Sequence, residues 1–242
     1  MLPDVYIYSD IGGRDVNEDY GGGFMGDNCG SIIVCDGLGG EGDGDIASKL
    51  VSEYIINEFK NEFPSRMEDI EKCLIRANDK LIARQNEIGS RMMTTVVGCV
   101  FENDKLTYFN IGDSRFYLFR NGKLKRQSYD HSAARLAVDL KEITEDDIRT
   151  YKKRNMLFKA IGSDTILDAK QNYISIDIKE GDAFLICTDG FWEYVTESDM
   201  EATLEQTKTA EEWFTAMRDI LLNHTDENND NYTAACGRFI KS

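Results

Sequence analysis

The chain has 242 residues, 41% hydrophobic and 30% charged, a balance that suits a globular protein large enough to bury a sizeable core. A formal net charge of −16 would repel a phosphate backbone, so nucleic acid is excluded as a partner and divalent cations or cationic surfaces are favoured. With only two histidines, His131 and His224, a His-rich zinc or iron centre is excluded on count, and each reads as a surface or packing residue.

Val5 to Gly12 alternates as a strand and breaks at Gly12-Gly13. Arg14 to Tyr20 follows, a cation and three acids that read locally as a solvated charged turn. Ser31 to Asp36 is a β-branched apolar run bounded by turn residues, hence a buried strand, and it ends in Asp36-Gly37-Leu38-Gly39-Gly40. Asp45 is placed to cap a helix carrying Ile46, Ala47, Leu50, Val51, Tyr54, Ile55 and Phe59 on one face, closed by Pro64. Met67, Ile70, Leu74, Ala77 and Leu81 predict a second amphipathic helix that pairs with it. Thr94–Phe101 and Leu106–Ile111 predict a hairpin, and Phe116–Phe119 and Leu124–Ser128 another across Asn121-Gly122.

Residues 130–165 are mixed, polar and partly helical, with few strong core positions. They read as a flap-like surface insertion beside the sheet, free to move. Tyr173–Ile178 and Ala183–Cys187 are strands, the second ending in Thr188-Asp189-Gly190. Helices at Glu197–Gln206 and Ala210–Asn223 precede a last strand, Tyr232–Ile240, introduced by Asn229-Asp230-Asn231. Hairpins dominate and βαβ alternation is absent, so the expectation is one α+β domain over 1–242 with mostly antiparallel sheets. The six cysteines form no C-x-x-C pair and four lie inside apolar strands, which suits a reducing, cytoplasmic compartment. No stretch approaches a membrane span, and no secretory leader precedes Val5, so no membrane partner is expected.

Asp36, Asp113 and Asp189 each end an apolar strand beside a glycine, and Asp230 stands just before one. If those strand ends converge they form an all-oxygen pocket that selects Mg²⁺ or Mn²⁺. Two such ions lower the pKa of a shared water toward neutrality for in-line attack on phosphorus, and a guanidinium such as Arg14 binds two phosphate oxygens at once. A cysteine-based phosphatase is disfavoured because no cysteine begins a C-x₅-R loop. No nucleophile elbow, Walker loop or dinucleotide fingerprint is present either.

Six motifs then occur in one order: Arg14-x-x-Asn17-Glu18-Asp19, Asp36-Gly37-x-Gly39-Gly40, Thr94-Thr95, Gly112-Asp113-Ser114-Arg115, Thr188-Asp189-Gly190 and Asp230-Asn231-x-Thr233. In that order and spacing the chain resembles the metal-dependent serine/threonine protein phosphatases (PPM, or type 2C), in their compact bacterial form. Asp130-His131-Ser132 and Arg154-Asn155 resemble the family's flap. The resemblance implies a four-layer αββα fold, a central sandwich of two antiparallel sheets flanked by helix pairs. It implies hydrolysis of phosphoserine and phosphothreonine on proteins by a metal-activated water, with two Mn²⁺ or Mg²⁺ ions and a possible third.

By the same resemblance Asp36 bridges both ions and the Gly37 carbonyl ligates one. Asp189 and Asp230 complete the first ion's shell, Glu18 and Asp19 act on the second, and Asp113 with Asp189 matches a third position. Arg14 matches the phosphate-binding arginine, while Thr94, Thr95, Ser114 and Arg115 look structural. Implied partners are phosphorylated proteins that are targets of a serine/threonine kinase, met by a monomer acting in signal transduction. Departures are Leu38, where animal members carry a histidine proposed as general acid and bacterial ones often Met, Glu41 in place of a frequent His, and Asp45 in place of a frequent Glu. Leu38 leaves the general acid unassigned. Two other readings stay open on the residues alone: a fold kept as a non-catalytic binding module, and a small-molecule phosphatase.

Overall fold

Because side chains alternate along a strand, an unbroken apolar run such as Ile32–Cys35 must be buried on both faces. That requirement organises the molecule. In the computed structural model, which describes residues 1–39, 43–163, 173–225 and 227–240, Ile32 and Val34 point into a core between two sheets, and Ile33 and Cys35 point outward under a helix pair.

One sheet has five strands in the order β1 (Asp4–Asp10), β11 (Tyr232–Arg238), β10 (Ala183–Cys187), β7 (Arg115–Arg120) and β8 (Lys123–Gln127). The other runs β2 (Asp19–Met25), β3 (Cys29–Leu38), β5 (Val96–Glu102), β6 (Lys105–Ile111) and β9 (Tyr173–Asp177), with the short β4 (Met93–Thr94) on β3. Every named strand pair is antiparallel. Tyr108 on β6 stacks on Phe116 of β7 at 4.2 Å between centroids, which joins the two sheets across the central core.

Helices α1 (Gly44–Asn61) and α2 (Met67–Ile88) set Val51, Ile55, Phe59 and Leu74 on the outer face of the six-stranded sheet. Helices α5 (Glu197–Gln206) and α6 (Ala210–His224) cover the five-stranded sheet with Met200, Leu204, Trp213 and Met217. The layers are therefore αββα. Two shorter helices, α3 (Ala133–Asp139) and α4 (Asp189–Trp192), lie in the connections. Both hairpin turns are of the expected kind, with positive φ at Asn103 and Asp104 and at Asn121 and Gly122.

Four expectations need correction. The charged turn after Arg14 runs directly into β2, whose Gly21-Gly22-Gly23 carries little strand propensity. A Cβ at Gly23 would lie 2.3 Å from the Ser31 carbonyl oxygen, so that strand can pack on β3 only without one. Asp43, not Asp45, occupies the N-cap position of α1, and Asp45 sits in the first turn, where its Oδ1 accepts from the Ile46 N–H at 2.8 Å. The expected strand from Thr94 breaks at Thr95, whose side chain serves the site described below.

The fourth concerns residues 130–163, which are better anchored than their polar composition suggests. Asp130, Ala134, Arg135, Ala137 and Ile148 are buried. Arg149 bonds the Trp192 carbonyl at 3.1 Å and Glu197 at 2.9 Å, and Arg154 forks onto Glu193. Gly40, Glu41, Ser242 and the last two residues of the expected insertion, 164–165, lie outside the described residues.

Candidate active site

At one end of the sandwich a cleft of about 450 Å³ is lined by Arg14, Glu18, Asp36, Gly37, Asp113, Asp189 and Asp230, together with Asp15, Leu38, Asn155 and Leu157. These residues come from separate segments, and each is fixed by its own local device. Asp36 is held on three sides of its backbone: its N–H donates to Thr95 Oγ1 at 3.0 Å, and its carbonyl accepts from Thr94 Oγ1 and the Thr95 N–H, each at 2.8 Å. Thr95 Oγ1 in turn bonds Ser114 Oγ at 2.7 Å, so the two threonines and Ser114 brace the strand end that presents Asp36.

Gly37 is where β3 meets the start of α1. A Cβ there would stand 2.1 Å from the Gly44 carbonyl oxygen, so any other residue would push the helix away from the cleft. The Gly44 N–H donates to Glu18 Oε1 at 3.2 Å, which places that carboxylate at the positive end of α1. Asp189 opens α4 directly after β10, and Asp113 occupies the turn between β6 and β7.

Asn231 was part of a sequence motif but had no assigned role. It is the hub of the loop bearing Arg14: Oδ1 accepts from the Glu18 N–H at 2.8 Å, and Nδ2 donates to the carbonyls of Ile11 at 2.7 Å and Val16 at 3.0 Å. One side chain thus ties the start of β11 to the segment before β2. Only the Asp-Asn dipeptide ahead of a strand could have signalled it.

The charge balance of this end of the molecule is unusual. Desolvation raises the carboxyl pKa of Asp36 well above its ordinary value, and the charges of Asp189, Asp19, Asp113 and Asp230 add to it. Asp113 is raised by burial and by Asp189 in the same way. Asp189 is pushed up to about 7 by burial first and then by Glu193 and Asp230, against a side-chain hydrogen bond from Asp36. Glu18 is raised by burial against the Gly44 bond.

Asp19 is the one predicted metal residue that does not line the cleft. It pairs with Asp36 across β2 and β3, is buried, and accepts from Thr188 Oγ1 at 2.8 Å. Burial pushes its carboxyl up to about 8. Among the described residues no three of these groups close on a point as a ready-made cage. Asp230 is turned toward Arg14. Its Oδ1 accepts from Arg14 Nε at 3.0 Å and its Oδ2 from Nη2 at 2.9 Å. With side chains 53% and 39% exposed, this pair contributes no more than about 1 kcal/mol.

The donor set is all oxygen, rich in carboxylate and short of positive charge, which is what a hard divalent cation requires. Among the described residues no histidine lines the cleft. His131 Nδ1 lies against the Gly112 backbone, and the exposed His224 turns Nδ1 to the Ile220 carbonyl of its own helix. Arg115, read as structural, is buried and held by Asp130 through three contacts of 2.7–3.1 Å, with its guanidinium 3.5 Å over the Trp192 ring.

Comparison with known proteins gives this geometry a family. Residues 8–229 match the family model described as protein phosphatase 2C. The serine/threonine phosphatase stp of Listeria monocytogenes serotype 4b is 30% identical over 207 residues, 82% of this chain and 81% of that one. The fold is shared with the Mycobacterium tuberculosis serine/threonine phosphatase PstP/Ppp, at TM-score 0.85 and 24% identity over the whole of both chains. It is shared too with the catalytic domain of PstP in complex with two manganese ions, at TM-score 0.83 and 23% identity over 99% of each chain. The chain belongs to the protein phosphatase 2C family and is a metal-dependent protein phosphatase.

Proposed function

We propose that this cleft hydrolyses phosphoserine and phosphothreonine monoesters on proteins, with Arg14 receiving the phosphate and the surrounding carboxylates holding divalent cations. The observation that carries the reading is the gathering of Glu18, Asp36, Gly37, Asp113, Asp189 and Asp230 around Arg14 in one cleft. Asp36 and the Gly37 carbonyl, with Asp189, Asp230 and Glu18, would hold two ions, Asp113 with Asp189 would offer a third position, and Asp19, buried opposite Asp36, would support them. When bound, Mn²⁺ or Mg²⁺ supplies charge neutralisation and acidifies a water for attack on phosphorus.

The chain's own residues do the rest. Thr94, Thr95 and Ser114 keep the Asp36 backbone rigid, so its carboxylate needs no reorganisation when charge develops. Arg14, the one cation lining the cleft among the described residues, presents a planar fork to two phosphate oxygens. Leu38 and Leu157 make the wall partly apolar, which suits the side chains of a peptide better than a highly hydroxylated sugar phosphate. All six thiols are free, which supports a reducing compartment such as the cytoplasm.

The test is phosphate release from a phosphothreonine peptide. Release is expected with Mn²⁺, and chelator or Asp36→Ala should abolish it. Robust turnover by a metal-free preparation would sink the proposal, and so would a preference for sugar phosphates over the peptide.

A further inference from the structure

Arg14 and Asp230 have separate duties in the proposed function, one toward phosphate and one toward a metal ion. In the structure they are engaged with each other. Both Asp230 oxygens face the Arg14 fork, and Oδ1 also accepts the Asn231 N–H at 2.9 Å. A carboxylate used in this way cannot offer the same lone pairs to an ion. A guanidinium with Nε and Nη2 committed has given up one edge of the fork that would clasp a phosphate.

Building on that reading, we propose that Arg14 is a positioning residue for Asp230: a tethered cation that holds the carboxylate while no divalent ion is bound and lets go when one is. Three features support the exchange. The contact is bidentate, so it orients the carboxylate rather than merely lying near it. The pair is exposed and weak, so an ion can displace it. Arg14 also stands within electrostatic reach of Asp189 and Glu18, so a released guanidinium stays at the cleft, where a phosphate dianion can take it up. Metal and phosphate are then linked through one side chain. Each should raise the other's affinity, and by the same factor.

General charge repulsion between Arg14 and a metal ion would also weaken metal binding, without any exchange. Lysine separates the two, because it keeps the charge but lacks the fork. The experiment is calorimetric titration of the full chain with Mn²⁺ in phosphate-free buffer, for the native protein, Arg14→Lys, Arg14→Gln, Asp230→Asn and the double variant Arg14→Gln/Asp230→Asn. Exchange predicts that Arg14→Gln tightens Mn²⁺ binding about three- to fivefold, that Arg14→Lys recovers most of that gain, and that the gain disappears in the Asp230→Asn background. It also predicts that inorganic phosphate tightens Mn²⁺ binding in the native chain more than in Arg14→Gln.

Native-like Mn²⁺ affinity in Arg14→Lys, or no change in Arg14→Gln, overturns the exchange. Mn²⁺ binding that is indifferent to Asp230→Asn overturns the assignment of Asp230 as a ligand, and the exchange with it, so the two failures are told apart. Both side chains are largely exposed, and a far-ultraviolet circular dichroism spectrum checks that each variant is folded.

Discussion

Two regions of this molecule handle buried charge in opposite ways, although they begin two residues apart. At Arg115 the charge is compensated: Asp130 contributes three contacts, Trp192 covers the guanidinium face, and both charged side chains are almost fully buried. At Asp113 and its neighbours it is not: the carboxyls of Asp36, Asp113, Asp189 and Asp19 are all raised, first by burial and then by the charges of nearby acids. A pair such as Arg115–Asp130 stabilises a fold only while both partners remain. A cluster of carboxylates without a counter-charge destabilises the fold and is kept for what it can bind. The difference marks which of two neighbouring charge clusters is structural and which is a site.

The sharpest way to break the comparison is to neutralise one member of each. Asp36→Asn should cost about a thousandfold or more in phosphate release. In chelator it should leave the melting temperature unchanged or higher, because the amide is neutral without the proton that burial imposes on the Asp36 carboxyl. A clear fall in melting temperature would show Asp36 to be structural.

Arg115→Leu should do the reverse, destabilising the protein by about 3–5 kcal/mol in chemical denaturation because Asp130 is left buried and alone. Replacing both Arg115 and Asp130 with apolar residues should restore most of that loss. If the double variant is no better than the single one, charge pairing is not what holds this region.

Linkage to pH sharpens the contrast further. In metal-free protein Asp19 and Asp189, at about 8 and about 7, keep protons that the unfolded chain releases near 3.8. The folded state binds more protons across that interval. The stability they contribute is therefore fully present below about pH 4 and is lost as pH rises through about 7 to 8. Mn²⁺ at a hundredfold excess over its dissociation constant should add about 2.7 kcal/mol at fixed pH and remove this decline. Melting curves at about pH 6 and pH 8, with chelator and with Mn²⁺, check both statements; a metal-free protein that gains stability with pH contradicts them.

The smallest expected effect is that of Thr95→Val, which removes the acceptor of the Asp36 N–H and should cost about 1–3 kcal/mol. It should also lower kcat more than KM, since the brace under Asp36 is lost while Arg14 is untouched.

Much of this was legible in the residues. The Asn103-Asp104 and Asn121-Gly122 turns fix their hairpins by local chemistry, and Asp36, Asp113 and Asp189 announce themselves as acids stranded at the ends of apolar runs. What was hidden is non-local. The β2 strand hides behind three glycines, required by the closeness of β3 and not by any preference of their own. The ion pairs Arg149–Glu197 and Arg154–Glu193 pin residues 130–163 to α4 and α5 across more than thirty positions of chain. Asp19 shares a motif with Glu18, but its burial opposite Asp36 and its bond from Thr188 come from the pairing of β2 with β3. The engagement of Arg14 with Asp230 spans nearly the whole chain.

Trp192, the lid on Arg115, has a second consequence. Its indole N–H donates to the Asp113 backbone carbonyl at 3.0 Å and it closes the short helix that Asp189 opens, so one ring is tied to the backbone of two cleft acids and covers a guanidinium. The chain's other tryptophan, Trp213, is edge-on to Phe119 and bonded to the Met200 carbonyl beneath α6, away from the cleft. Any shift of Asp113 or Asp189 on ion binding therefore changes the emission of one fluorophore and spares the other. The molecule carries its own optical gauge of the site, readable without a label in a Trp213→Phe background.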